Sequence, residues 1–329
     1  MKKIFTLGTV LLALPFQLAA AALTATVVPL YTDQNMPAEV MQQLMRSQDL
    51  ALDLKYDEAE VQLRAARDRV PEHPLGNVFL LATRLSQLQE SIRQGQKRVP
   101  DGFFQDVNEL IVQAQAQAQA HPESAYPKFY LGAALGCRGL AKLYTGHYLD
   151  SYFDGKNGVA LVREAVAIEP QLYDAYMGLG QFEYYCGSLG PMLRFFLALH
   201  GSEEKGLEML QTCGEKATYA AWPCRLYRVK LMVSERGDYV GSAKDLSDLI
   251  ARYPDNYDLV QQVFLCLDHG AREPALVAAA ESLVQRLKQG WKLPAYAHVK
   301  LEDCERILAN AKGPAPIPVH RPGPMEAPR

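Results

Sequence analysis

The sequence predicts an all-α fold of helical hairpins stacked side by side. Three observations carry this: apolar residues recur at helical spacing, prolines interrupt the pattern, and glycines sit inside the helical runs. Gly158 to Tyr185 shows all three. Val159, Val162 and Val166 form one apolar row, and Leu161, Ala165 and Ile168 form the row beside it. Pro170 stops that helix, because the residue before a proline is pushed out of the helical region. The next helix carries Ala175, Leu179, Phe182 and Cys186 on one face, with Gly178 and Gly180 in its interior. An interior glycine costs about 0.5–1 kcal/mol relative to alanine, so both are expected where another backbone passes close by.

In chain order, residues 1–22 have the pattern of an export signal. Lys2 and Lys3 are followed by a mostly apolar run from Leu7 to Leu18 and by small residues from Ala19 to Ala22. The apolar run is too short to favour spanning a bilayer. The expected destination is the periplasm or cell envelope. Residues 23–36 read as an extended leader, 37–311 as the helical array, and 312–329 as an extended tail with many prolines.

Within the array, Pro37 suits a first helical turn, and helices are expected at 38–54, 56–70 and 75–92. Asp101 is a candidate cap for a helix ending at Ala120, and Ser124 to Tyr144 is the next. The run Asp154–Gly158 reads as a turn. Beyond the stretch already described, helices are expected at Glu203–Lys216, Ala220–Arg236, Val240–Arg252, Tyr257–Asp268, Pro274–Lys288 and Tyr296–Ala311.

The punctuation of these hairpins resembles the tetratricopeptide repeat. Ala165 and Pro170, followed by Tyr176, Leu179 and Gly180, fall at the small, proline and apolar positions of that repeat. Tyr56, Ala59, Leu63, Ala66 and Pro71 match a second unit. Gly237-Asp238-Tyr239, Leu246 and Pro254 match a third, and Leu131-Gly132 repeats the offset after Pro122. The resemblance covers about half the chain, with irregular intervals. It implies an α-solenoid of irregular hairpins, a non-enzymatic scaffold or adaptor that binds a protein or peptide partner in its concave groove.

Tyrosines supply the candidate groove. Tyr144, Tyr148, Tyr152, Tyr176 and Tyr184 lie in one dense segment with Tyr173 and Tyr185, and a tyrosine offers both apolar area and a hydrogen-bonding tip. Glu183 is expected to pair with Arg138, Arg225 or Arg228, which adds Glu183, Arg138 and Arg225 to the partner-binding set. The stretch 189–199 departs from the repeat. It is nearly uncharged and presents Met192, Phe195 and Phe196. It is expected as an extra helix packed into the groove, or else as a surface for a partner or a membrane interface.

Net charge is −3, and loss of Lys2 and Lys3 with the signal makes it −5, so a nucleic-acid partner is not expected. No Cys-x-x-Cys, phosphate loop or His-Glu-x-x-His occurs. No metal or cofactor is expected, and no catalytic residue is assigned. The enzymatic alternative is a hydrolase-type centre built on Glu183 or on His147 with Asp150 and Asp154. Cys213 and Cys224 flank the turn near 217–220 at nearly equal distances, which makes them the candidate disulfide of an oxidising compartment.

Overall fold

The computed structural model describes residues 28–294 and 299–313. Every regular element among them is helical. The expected export signal, the tail from residue 314 and the predicted start of the last helix at Tyr296 lie outside the described residues. In order the helices are α1 Ala38–Leu52, α2 Tyr56–Arg69, α3 Pro74–Arg93, α4 Phe103–Ala120, α5 Ala125–Tyr144, α6 Tyr148–Ile168, α7 Tyr176–Ser188 and α8 Pro191–Leu197. They continue as α9 Glu203–Lys216, α10 Ala221–Lys230, α11 Ala243–Arg252, α12 Tyr257–Asp268, α13 Pro274–Lys288 and α14 Leu301–Lys312.

Helices with a strong start signal begin where the sequence places them. Ser202 accepts from the Lys205 N–H at 3.3 Å, Asn256 accepts from Asp258 and Leu259 at 3.1 and 3.3 Å, and Pro274 opens α13. Four local expectations are corrected. Asp154–Gly158 is no turn but the middle of α6. Gly102, with φ +76°, takes the cap position assigned to Asp101, and α4 starts at Phe103. The helix expected over 220–236 changes at Leu231–Glu235 into a π turn. Residues 237–242 are non-helical, so α11 starts at Ala243 instead of Val240.

Tertiary contact explains α6. A Cβ on Gly158 would stand 2.8 Å from the Gly132 carbonyl oxygen of α5, and one on Gly132 would stand 2.8 Å from that of Gly158. The glycines that suggest a turn locally are the sites where α5 and α6 touch. Each helix packs mainly on its chain neighbour, with α7 passing over α8 to pair with α9. Second neighbours also meet, as α1 with α3, α3 with α5, α11 with α13 and α12 with α14.

The first and last parts of this array are joined. In the last turn of α1, Asp49 holds Arg252 at 2.7 Å and accepts the Tyr253 hydroxyl at 2.8 Å. Asp53 accepts the Asp255 N–H at 2.9 Å, and the Leu52 carbonyl accepts Asn256 Nδ2 at 2.7 Å. Lys55 bridges Asp53 and Asp255 at 2.7 and 2.9 Å, which raises its pKa. Segments about 200 residues apart in sequence therefore share one corner.

Cys213 of α9 and Cys224 of α10 form a disulfide with Cα atoms 6.0 Å apart. A loop this short restrains the unfolded chain by about 2–3 kcal/mol in the chain-entropy account. The remaining cysteines are thiols, and burial pushes Cys137 and Cys186 up to about 12 and 11, which keeps both protonated and unreactive at neutral pH.

Candidate functional site

The residues singled out from sequence are not gathered in one place. Tyr184 is buried, while its neighbour Tyr185 is 49% exposed. Glu183 is buried but pairs with Arg163 at 2.8 Å and Lys205 at 3.6 Å, not with Arg138, Arg225 or Arg228. Arg138 is held instead by Asp154 at 2.7 Å, and Arg225 by Asp248 at 2.7 Å and Asp245 at 3.1 Å. Tyr148 is exposed, Tyr152 donates to the Leu197 carbonyl at 2.8 Å, and Tyr176 reaches the Pro170 carbonyl at 3.4 Å.

The insert is not buried in a groove, as Met192 and Phe195 are 75% and 83% exposed. The Phe196 side chain lies outside the described residues. No helix among the described residues is long and apolar enough to cross a membrane. Of the residues named for the hydrolase alternative, Asp154 is held by Arg138 and Lys142, and the His147 ring meets Thr145 Oγ1 at 3.1 Å. Among the described residues no cluster of three or more potential ligands could hold a metal.

Instead α3, α5, α7 and α10 organise two polar aromatic sites. Near their C-terminal ends, Gln89 of α3 donates to the Tyr144 hydroxyl of α5 at 2.9 Å. The Tyr227 hydroxyl of α10 donates to that of Tyr185 of α7 at 2.8 Å, with ring centroids 6.5 Å apart. Burial raises the Tyr144 and Tyr227 pKa values, so both phenols stay neutral donors. Lys230, at the end of α10, makes no ion pair among the described residues. Crowding lowers its pKa, and the like charge of Arg93 adds to the effect. Arg93 itself is occupied by Glu90 and Asp258. The arrangement offers stacking faces, hydroxyls and an ammonium that has no direct ion-pair partner among the described residues, although Asp258 and Glu235 favour its charge from farther off.

Near the N-terminal ends of the same helices lies the leader. The His121 and His73 rings donate to the Val28 and Thr32 carbonyls at 2.7 and 2.9 Å. The His73 tautomer follows, because its Nδ1 accepts from the Leu75 N–H at 3.2 Å. Tyr31 stacks edge-on against His73 at 5.3 Å. Tyr130 of α5 donates to Asp33 Oδ1 at 2.6 Å. Asp174, just before α7, accepts three backbone N–H groups at the start of α10, those of Thr218, Tyr219 and Ala220, at 3.1, 2.9 and 2.7 Å. A cleft of about 870 Å³ beside α2 and α3 is lined by Tyr56, Glu60, Arg64 and Arg84, and within it Glu60 holds both Arg64 and Arg84.

Sequence reasoning missed Gln89, Tyr227, Lys230 and the docked leader. The tyrosine-rich segment did contain Tyr144 and Tyr185, and the register of α7 decides which of its adjacent tyrosines faces out. No protein-family model matches the chain, and no curated protein matches it.

Proposed function

We propose that the chain is an exported α-solenoid of tetratricopeptide type that works as a non-enzymatic scaffold in the cell envelope. It binds a segment of a protein or peptide partner at the Tyr144, Tyr185, Tyr227 and Lys230 end of the inner helices. The observation that carries the reading is the Tyr185–Tyr227 hydroxyl pair, with Lys230 one helical turn beyond Tyr227 on α10 and without a direct ion-pair partner among the described residues. Tyrosines contribute rigid contact area at low entropic cost, and the exposed Lys230 ammonium offers hydrogen-bond donors to a partner's carbonyl or carboxylate. The solenoid part of the proposal draws on the run of neighbour and second-neighbour helix contacts.

Tyr185→Ala and Lys230→Glu are expected to reduce recovery of the partner from envelope extracts at least tenfold, with melting temperatures within about 2 °C of the parent. Parallel loss of recovery and of melting temperature would assign these side chains to the core. A second reading rests on the exposed Met192 and Phe195 of α8. On that reading the protein floats with liposomes and Phe195→Asp abolishes flotation, whereas a scaffold that meets only protein stays at the bottom of the gradient.

A further inference from the structure

We propose that the seat formed by Tyr126, Tyr130, Asp174 and Tyr219 binds an uncharged carboxyl side chain on an extended peptide segment, and that residues 28–36 of this chain are its resident, displaceable ligand. The inference rests on the reading of this array as a holder of peptides, but it concerns the opposite end of the inner helices.

The leader is held as a bound peptide is held. Its carbonyls at Val28 and Thr32 take ring N–H groups from His121 and His73, and one side chain, Asp33, enters the interior. The residue that follows the 3-10 turn Asp33–Asn35, Met36, belongs to the buried core, so Met36 marks the fixed end of the segment. Tyr219 supplies a second, independent observation. Its residue is 7% exposed, and its hydroxyl, though outside strict hydrogen-bond geometry, bears on the Asp33 carboxyl and lowers its pKa, so it lines the same seat as Tyr130.

The surroundings of Asp33 decide the charge state of the ligand. From α5 it faces Tyr130 and Tyr126, from the turn before α10 Tyr219, from the turn before α7 Asp174, and from the end of α6 Glu169. His73 stands beyond Tyr130, with ring centroids 6.1 Å apart, and burial lowers its pKa. Among the groups acting most strongly on Asp33 there is no cation. Burial, opposed by the Tyr130 and Tyr219 hydroxyls and reinforced by Asp174 and Glu169, raises its carboxyl from 3.8 to about 7.

A docked carboxyl with a raised pKa is held best when protonated. Docking is therefore strongest below about 3.8, weakens as pH climbs towards 7, and levels off above it. The leader takes up one proton as it docks in that window. Between pH 5 and pH 8 the docking equilibrium changes on the order of a hundredfold.

The test is amide hydrogen exchange of residues 28–36 in the full chain, corrected for intrinsic rates and referenced to the amides of α12. The parent is expected to protect the leader on the order of a hundredfold more at pH 5 than at pH 8. Asp33→Asn, neutral at both values, is expected to show a ratio near one with the leader still protected. An excess of the free peptide of residues 28–36 at pH 5 is expected to speed exchange of the chain's own leader, and the same peptide with Asp33→Ala is expected to have little effect. Equal protection of the parent leader at both pH values, a persistent pH ratio in Asp33→Asn, or indifference to the free peptide would each overturn the proposal. None of these readouts depends on Tyr185 or Lys230, so failure here and failure of partner capture are separate results.

Discussion

Gly206→Val is expected to destabilise the protein by at least about 3 kcal/mol and to abolish partner capture with it. A Cβ at Gly206 would stand 2.6 Å from the Tyr184 nitrogen, 2.7 Å from the Gly180 carbonyl oxygen and 2.8 Å from the Tyr184 Cα. All three are backbone atoms of α7, so no rotamer change relieves the clash and α7 must move away from α9. α7 carries Tyr185, and its displacement separates the Tyr185–Tyr227 hydroxyl pair. Gly178 is the control. Nothing lies within 4 Å of a Cβ there, so Gly178→Ala should be neutral or stabilising by up to about 1 kcal/mol. Urea unfolding of the two variants beside the parent measures both effects, and a stable Gly206→Val would mean that α7 and α9 do not meet at this point.

Asp174→Ala is expected to cost about 3–5 kcal/mol. The carboxylate is buried and is the acceptor for the Thr218, Tyr219 and Ala220 N–H groups, so it caps α10 from a position 44–46 residues earlier in the chain. Removing it strands the buried Tyr219 and Ala220 donors, each worth about 1–3 kcal/mol before relaxation, and leaves the more exposed Thr218 N–H to water. Asp174→Asn should fall between, because Oδ1 alone takes the Tyr219 and Ala220 N–H groups at 2.9 and 2.7 Å. The Asn variant also removes a negative charge that raises the Asp33 carboxyl, so Asp33 should titrate lower in it. Unfolding midpoints of the two variants check the order. Equal, small losses would show that water replaces the cap.

These positions also show what the chain discloses before it folds. The helical fold class and the bounds of α9, α12 and α13 are legible because apolar spacing, Ser202, Asn256 and Pro274 act within a turn or two of themselves. Asp154–Gly158 misleads for the opposite reason. Its composition is that of a turn, but Gly132 of α5 lies against Gly158 and holds the run in a helix. Gly178 and Gly180 look alike in sequence, yet only at Gly180 would a Cβ meet a neighbouring backbone, the Gly206 carbonyl oxygen at 3.0 Å.

The candidate site was legible as a density of tyrosines and no further. Which of Tyr184 and Tyr185 faces outward depends on how α7 rolls against α9. The partner of Glu183, Arg163, comes from the preceding helix. The leader could be read as extended, but its docking uses hydrogen bonds to residues up to 97 positions away, beyond the reach of any local pattern.

The central functional claim is that the Tyr185–Tyr227–Lys230 end of the inner helices meets a polypeptide partner. The most direct measurement places a photo-crosslinking phenylalanine at position 185 and, as a control, at the exposed Val112, then irradiates the protein in its native compartment and identifies the adducts by mass spectrometry. The account predicts a discrete protein or peptide adduct at position 185 that is absent at Val112 and lost when Lys230→Glu is added. The same adducts from both positions, or none from position 185, would contradict it.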